Sequence, residues 1–295
     1  MAQSGKPSST RFVRCPGATS YGRVMPGFED DVVATRAAGT FGDHAAPESV
    51  CLVATCHDPL GGFAAGVGAA GPALAEVFGA VAVNATAETH PATIAALRAL
   101  AVPLLLDEHA AGTIGIGTAR KNALDLGLQS DCGWLFHSDL DHILRWVSGA
   151  RGEAERTLAR RDVDFLVVGR SAVAMEAASD RLRRTEEIVN HVYGLANGLA
   201  NRWDLMIAMR LMTRDTAQLI VDQSRDTSIT NDVTWPMLVR ARGASVGYVE
   251  GDGIRFLARD DFGAIDRRDE DPREWRARMV TATAHVAAIV DFDLG

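Results

Sequence analysis

The stretch "CGWLFHSDLDHILRW", residues 132–146, places a short apolar run directly before two aspartates, Asp139 and Asp141. The run "WLF" is typical of a strand that is buried on both faces. Because residues two apart in a strand share one side, the two carboxylates can face one ligand. Their hard oxygens are the donors that Mg²⁺ and Mn²⁺ prefer. The alternative is a strand that simply ends in a solvated acidic turn.

Two histidines flank this acidic pair. His142 follows Asp141 directly and is a candidate third metal ligand. His137 alternates with the acids but lies deeper in the strand, which favours a core histidine that makes internal hydrogen bonds.

Three more apolar runs precede this strand, and helical patterns separate them. These runs are residues 50–54, 79–86 and 102–108. The alternation predicts an α/β protein with one mostly parallel sheet, mixed at its edge, and helices on both faces. Ligands of such sheets bind beyond the carboxyl ends of the strands, so the polar residues there should gather at one edge. These residues are Thr55, His57, Asp58, Asn84, Thr86, Asp107, Asp139 and Asp141.

A glycine-rich stretch, "GTIGIGTARK", spans residues 112–121 before the acidic strand. Backbone N–H groups of a glycine turn at a helix start can hold phosphate, and an arginine can pair with it through two nitrogens. Gly117 and Arg120 are therefore candidate phosphate ligands. The dinucleotide pattern GxGxxG is not completed, because its third glycine position holds Arg120.

The second half of the chain is less regular. Residues 185–212 read as helical throughout, despite Gly194 and Gly198. Arg170 follows a further apolar run and is a candidate for holding a sugar or a diphosphate, or else a surface salt bridge. Asp232, in "TND", suits a general base for an attacking hydroxyl, although an N-cap of the following helix is the simpler alternative.

Composition narrows the class of protein. The 295 residues carry a formal net charge of -8, which argues against a general nucleic-acid binder. Four cysteines without a CxxC pair favour reduced thiols in a cytoplasmic protein. The sequence contains no run of 18 apolar residues, so no transmembrane helix is predicted. Residues 1–46 are polar and rich in glycine and proline, which predicts a loosely ordered arm before a domain at 47–295.

In the order of its motifs, the chain resembles the glycosyltransferases of the GT-A fold over roughly residues 48–260. The matching stretches are "ATCHDP" at 54–59, "GIGTARKNALDLGL" at 115–128, "FHSDLDH" at 136–142 and "TNDVTWPMLVRARGASVGYVE" at 230–250. Asp232 matches the second acid of a pair that many inverting members carry before a helix that ends in "R..G" and is followed by a strand. Asn231 replaces the first acid, which is a departure from the family pattern.

The resemblance implies transfer of a sugar from a nucleotide diphosphate sugar to an acceptor hydroxyl, with inversion through Asp232 as base. It implies a nucleotide-binding half at about 47–150 and an acceptor half at about 151–295. Mn²⁺ or Mg²⁺ would be held by Asp139, Asp141 and His142. The donor would be held by Thr55, His57, Asn84, Thr86, Gly117, Arg120, Asp139 and Arg170.

Two rival functions stay open. A sugar-phosphate nucleotidyltransferase of this fold would carry a glycine-rich loop with an arginine after the first strand. Here that loop is "TCHDPLGGF", residues 55–63, which has no arginine. A catalytically silent nucleotide- or sugar-binding protein is the second rival. The expected acceptor is a small or soluble molecule, and apolar faces at 185–213 and in the C-terminal helix would suit a homodimer.

Overall fold

The computed structural model describes residues 49–255 and 267–293. The arm predicted at residues 1–46 lies outside the described residues. The strands are Val50–Cys56 (β1), Ala80–Thr86 (β2), Leu104–His109 (β3), Trp134–Asp139 (β4), Phe165–Arg170 (β5), Met209–Thr213 (β6) and Val246–Gly251 (β7). The helices are Ala64–Val77 (α1), Pro91–Arg98 (α2), Ile116–Gly127 (α3), Leu140–Gly149 (α4), Arg151–Leu158 (α5), Ala172–Glu176 (α6), Asp180–Asn197 (α7), Arg214–Gln223 (α8), Asn231–Ala241 (α9) and Pro272–Val290 (α10).

The strands form one sheet in the order β3-β2-β1-β4-β6-β5-β7. Strands β1 to β4 pair in parallel, and so do β5 and β7, which confirms the predicted mostly parallel α/β sheet. The antiparallel strand is β6, and it lies between β4 and β5 rather than at the edge. Residues 209–212 of β6 are all buried, as expected for a strand in the interior of a sheet.

Alternate residues of the strands face two separate apolar layers. Leu52 packs in a layer with α1, α2, α4 and α5, while Val53 packs in a layer with α3, α7, α8, α9 and α10. This alternation is the period of two that a strand imposes on its side chains. Cys51, Cys56 and Cys132 are free thiols buried in these layers. Among the described helices, none is long and apolar enough to cross a membrane.

The prediction of one helical stretch over 185–212 is wrong. Helix α7 ends at Asn197, and Gly198 follows in the left-handed region with φ 62°. A glycine in that conformation is a common helix stop, because a side chain there would be strained. The apolar residues beyond it form β6, since pairing between β4 and β5 satisfies their backbone in the core.

Candidate active site

One row of polar residues runs across the carboxyl ends of four strands. Cα pairing aligns Asp107 of β3 with Asn84 of β2, Asn84 with Thr55 of β1, and Thr55 with Asp139 of β4. The Oγ1 of Thr55 donates to Asp139 Oδ1 at 2.8 Å, and Asn84 Nδ2 donates to Asp107 Oδ2 at 3.2 Å. The strand pairing therefore confirms that the polar strand ends gather at one edge.

Asn84 leaves an unused acceptor in this row. Its Oδ1 is buried and has no hydrogen-bond partner among the described residues. A buried polar atom without a partner is costly, so this oxygen suits the N–H of a bound molecule. One step further along the edge, the exposed His57 has its Nδ1 2.8 Å from the Thr86 hydroxyl.

Arg120 of α3 is bound to Asp139 through two nitrogens. Its Nη2 donates to Asp139 Oδ2 at 2.8 Å, and its Nε donates to Oδ1 at 3.3 Å. Arg120 is only 3% exposed. Burial alone would raise the pKa of the Asp139 carboxyl, but the Arg120 charge outweighs it and holds this pKa well below its ordinary value. Asp139 is therefore an ionised carboxylate in a fixed orientation.

The same guanidinium binds the candidate base. Arg120 Nη1 donates at 2.8 Å both to Asn231 Oδ1 and to Asp232 Oδ1. Asp232 is 4% exposed and lies in the first turn of α9, whose N-cap residue is Thr230. The helix thus begins within "TND", as the simpler alternative expected, with Thr230 and not Asp232 as the N-cap residue. Burial raises the pKa of the Asp232 carboxyl, yet the Arg120 charge outweighs it and the net shift is downward.

A histidine and an arginine close the far side of Asp232, and sequence reasoning missed both. His285 of α10 has its Nε2 3.6 Å from Asp232 Oδ2. Arg210 of β6 donates from Nη2 to the backbone carbonyl of Asp232 at 3.0 Å. The only sequence signal was a single charged or polar residue inside an apolar stretch, at "MIAMRLM" (206–212) and "HVAAIV" (285–290).

Strand β4 ends at Asp139, and Asp141 and His142 lie at the start of α4, so the expectation that the two carboxylates share one side of a strand is wrong. The side chains of Asp139 and Asp141 are each 25% exposed, so both carboxylates reach the open edge. His142 is buried, its Nδ1 donates to the Ile207 carbonyl at 3.0 Å, and its Nε2 lies 3.8 Å from Asp141 Oδ2. Within the described residues, no group of three or more His, Cys, Asp or Glu side chains is arranged to hold a metal. The metal site predicted from Asp139, Asp141 and His142 therefore stays a prediction.

Gly117 has a packing role in the structure. A Cβ on Gly117 would lie 2.3 Å from the backbone oxygen of Ser228 and 2.6 Å from its nitrogen. A Cβ on Gly115 would likewise lie 2.2 Å from the backbone oxygen of Thr227. These glycines let the loop before α9 lie directly on the start of α3. With Arg120 committed to carboxylates, the geometry lends no support to the prediction that Gly117 and Arg120 hold a diphosphate.

Arg170 ends β5 in a second buried ion cluster. It pairs with Asp204 through Nε at 2.7 Å and with Glu186 through Nη2. Arg278 of α10 pairs with Glu186 from the other side. The alternative of a surface salt bridge is therefore wrong, since Arg170 is fully enclosed. Strands β4 and β5 run in the same direction on either side of β6, so Arg170 ends its strand at the same edge of the sheet as Asp139. Its side chain is bound to Asp204 and Glu186, and its role with a donor stays a prediction.

The seven-stranded, mostly parallel sheet with helices on both faces has the GT-A fold. In particular, the crystal structure of M. tuberculosis glucosyl-3-phosphoglycerate synthase is similar, with a TM-score of 0.55 over 83% of this chain and 81% of that chain. The crystal structure of a mycobacterial protein gives a TM-score of 0.51 over 83% of this chain and 75% of that chain. Sequence identity is 12% in both cases, so the likeness concerns the fold. No protein-family profile and no curated protein matches the sequence.

Proposed function

We propose that this protein transfers a sugar from a nucleotide diphosphate sugar to an acceptor hydroxyl. The observation that carries the proposal is the placement of Asp139 and Asp141. Both carboxylates reach the open carboxyl edge of the central strand, and Asp139 is held there by Thr55 and Arg120. Ligands of such sheets bind at this edge.

Charge balance supports a donor that arrives with a divalent cation. Asp139, Asp141 and Asp232 offset the charges of Arg120, Arg210 and a protonated His285. The bridging diphosphate of a sugar nucleotide brings about two negative charges, which a divalent cation neutralises. Asp139 and Asp141, with His142 next to them, would hold Mn²⁺ or Mg²⁺. When bound, the metal would neutralise the charge that develops on the departing diphosphate.

The row beside Asp139 suits the nucleoside. Asn84 Oδ1 lacks a hydrogen-bond partner among the described residues and can accept from a nucleobase N–H. His57 and Thr86 lie next to it, and Thr55 keeps its hydroxyl on Asp139. We therefore assign the nucleoside to Thr55, His57, Asn84 and Thr86, with a small or soluble acceptor on the side of residues 151–295.

Asp232 is our candidate for the residue that takes the proton of the acceptor hydroxyl. It is ionised, as a base must be. However, its lowered pKa makes it a weak proton acceptor, and Arg120 occupies its Oδ1. We therefore propose that Asp232 first holds Arg120 on Asp139 and acts as a base only if the acceptor displaces that contact. If the transfer retains the anomeric configuration of the sugar, no such base is required, and Asp232 only holds Arg120 on Asp139.

The first test is calorimetric binding of UDP, GDP, ADP and dTDP, each with and without Mn²⁺. We expect one diphosphate to bind in a metal-dependent way, and this binding to be lost in Asp141→Asn. Asp222→Asn is the matched control, because Asp222 is exposed on α8. No binding of any of the four, or binding indifferent to Asp141→Asn, would overturn the proposal. Release of pyrophosphate from a nucleoside triphosphate and a sugar phosphate would instead indicate the nucleotidyltransferase.

A further inference from the structure

The ring of His285 is enclosed between two backbone carbonyl oxygens. Its Nδ1 lies 2.8 Å from the Thr281 oxygen, one turn earlier in α10, and its Nε2 lies 3.1 Å from the Ile229 oxygen before α9. A carbonyl oxygen can only accept a hydrogen bond, so each ring nitrogen must carry a proton to be paired. The neutral ring has one N–H and would leave one of these contacts as two facing lone pairs. Hydrogen bonds from both nitrogens to these two oxygens are possible only for the imidazolium.

A buried imidazolium needs a counter-charge, and Asp232 is placed to supply it. His285 is 0% exposed, and its Nε2 lies 3.6 Å from Asp232 Oδ2. Burial alone lowers the pKa of His285, but the hydrogen bond and charge of Asp232 outweigh it and the net shift is upward. Asp232 in turn faces Arg120 of α3 and Arg210 of β6, so it sits among three cations.

We infer that His285 is a positioning residue, which as an imidazolium holds the Asp232 carboxylate and, through it, keeps Arg120 on Asp139. The contacts form one continuous series from His285 through Asp232, Arg120 and Asp139 to Thr55. The C-terminal helix is thereby connected to the carboxyl edge of β1 and β4. The charge of His285 stands on its own geometry, and only its effect on donor binding rests on the proposed function.

The charge is tested on the full chain with ¹⁵N-labelled histidine. An imidazolium gives two nitrogen signals at nearly the same chemical shift, whereas a neutral ring gives two widely separated ones. We expect the imidazolium pattern for His285 at neutral pH, with its signals assigned by their absence in His285→Gln. In Asp232→Asn the titration midpoint of His285 should fall. A neutral pattern at neutral pH in the wild type, or a midpoint unmoved by Asp232→Asn, would overturn the inference.

The positioning role is tested by the pH dependence of Mn²⁺-dependent nucleotide binding. In the wild type, binding should weaken at alkaline pH as His285 loses its proton. We expect His285→Gln to weaken binding by about tenfold or more at neutral pH, as is common for residues behind metal ligands, and to make binding independent of alkaline pH. His191→Gln, on the exposed face of α7, is the matched control and should keep the wild-type profile. An unchanged profile in His285→Gln would contradict the role. If the wild type binds no nucleotide, the proposed function fails while the NMR result still decides the charge of His285.

Discussion

Asp139 and Asp232 are bound by one buried guanidinium, at 2.8 Å from Arg120 Nη2 and 2.8 Å from Arg120 Nη1. Asp139 ends the central strand β4, whereas Asp232 begins α9. A charge as enclosed as Arg120 is tolerated because both partners are hydrogen-bonded to it. The open edge of the sheet and the start of α9 therefore respond together to any change at Arg120.

We expect Arg120→Gln to lower the free energy of unfolding by about 3–5 kcal/mol, because it leaves two carboxylates without their shared cation. Urea denaturation monitored by fluorescence would measure this. Arg151→Gln is the control, since Arg151 pairs with Glu76 and Glu155 while 45% exposed. Its loss of stability should be much smaller, because solvent screens exposed ion pairs. Equal losses in the two variants would contradict the prediction.

The substitutions Asp139→Asn and Asp141→Asn should differ in their effect on the stability of the protein. Asp141→Asn should abolish Mn²⁺-dependent nucleotide binding while the fold keeps its stability within about 1 kcal/mol, because Asp141 is partly exposed and its contact with His142 is long, at 3.8 Å. Asp139→Asn should lose binding and also cost about 1–3 kcal/mol, since Arg120 and Thr55 lose an ionised acceptor. Calorimetry and urea denaturation of both variants check this, and a stable Asp139→Asn protein would be the opposing result.

Two glycine-to-alanine substitutions should change the free energy of unfolding in opposite directions. Gly117→Ala forces a methyl group into the Ser228 backbone and should destabilise the protein by about 1–3 kcal/mol. Gly194→Ala lies within α7, where a Cβ meets nothing within 4 Å, and should stabilise by about 0.5–1 kcal/mol. Both values come from denaturation midpoints. A neutral Gly117→Ala would mean that the loop before α9 moves away easily, which would reopen the phosphate role of that glycine.

Stability should decline on the alkaline side because of His285. Its pKa is raised above the ordinary value of about 6.5, so its contribution is complete below about pH 6.5 and lost as pH rises through the folded-state pKa. Asp139 and Asp232 have lowered pKa values, so their contribution to stability is complete above about pH 4 and is lost at lower pH. Unfolding free energies measured across this range should fall at high pH in the wild type and less so in His285→Gln. Identical alkaline slopes would argue against a charged His285.

Local patterns were enough to predict much of the sheet. Apolar runs ending in polar residues predicted β1 to β4 and the edge where Thr55, Asn84 and Asp139 align. The same reasoning failed for β6, because "MIAMRLM" is too short and too apolar to distinguish a buried strand from a helix. Once β6 was missed, the buried Arg210 that it carries could not be placed near Asp232.

By itself, the sequence determined the α/β class, the alternation of parallel strands with helices in β1 to β4, and the carboxylate of Asp139 at the end of β4, because these follow from periodicity within short segments. Only the tertiary structure decided that Arg120 joins Asp139 to Asp232 and that His285 closes the series. These partners come from α3, β4, α9 and α10. No local pattern specifies their meeting, because it results from packing helices on one face of the sheet, where each buried charge requires a partner.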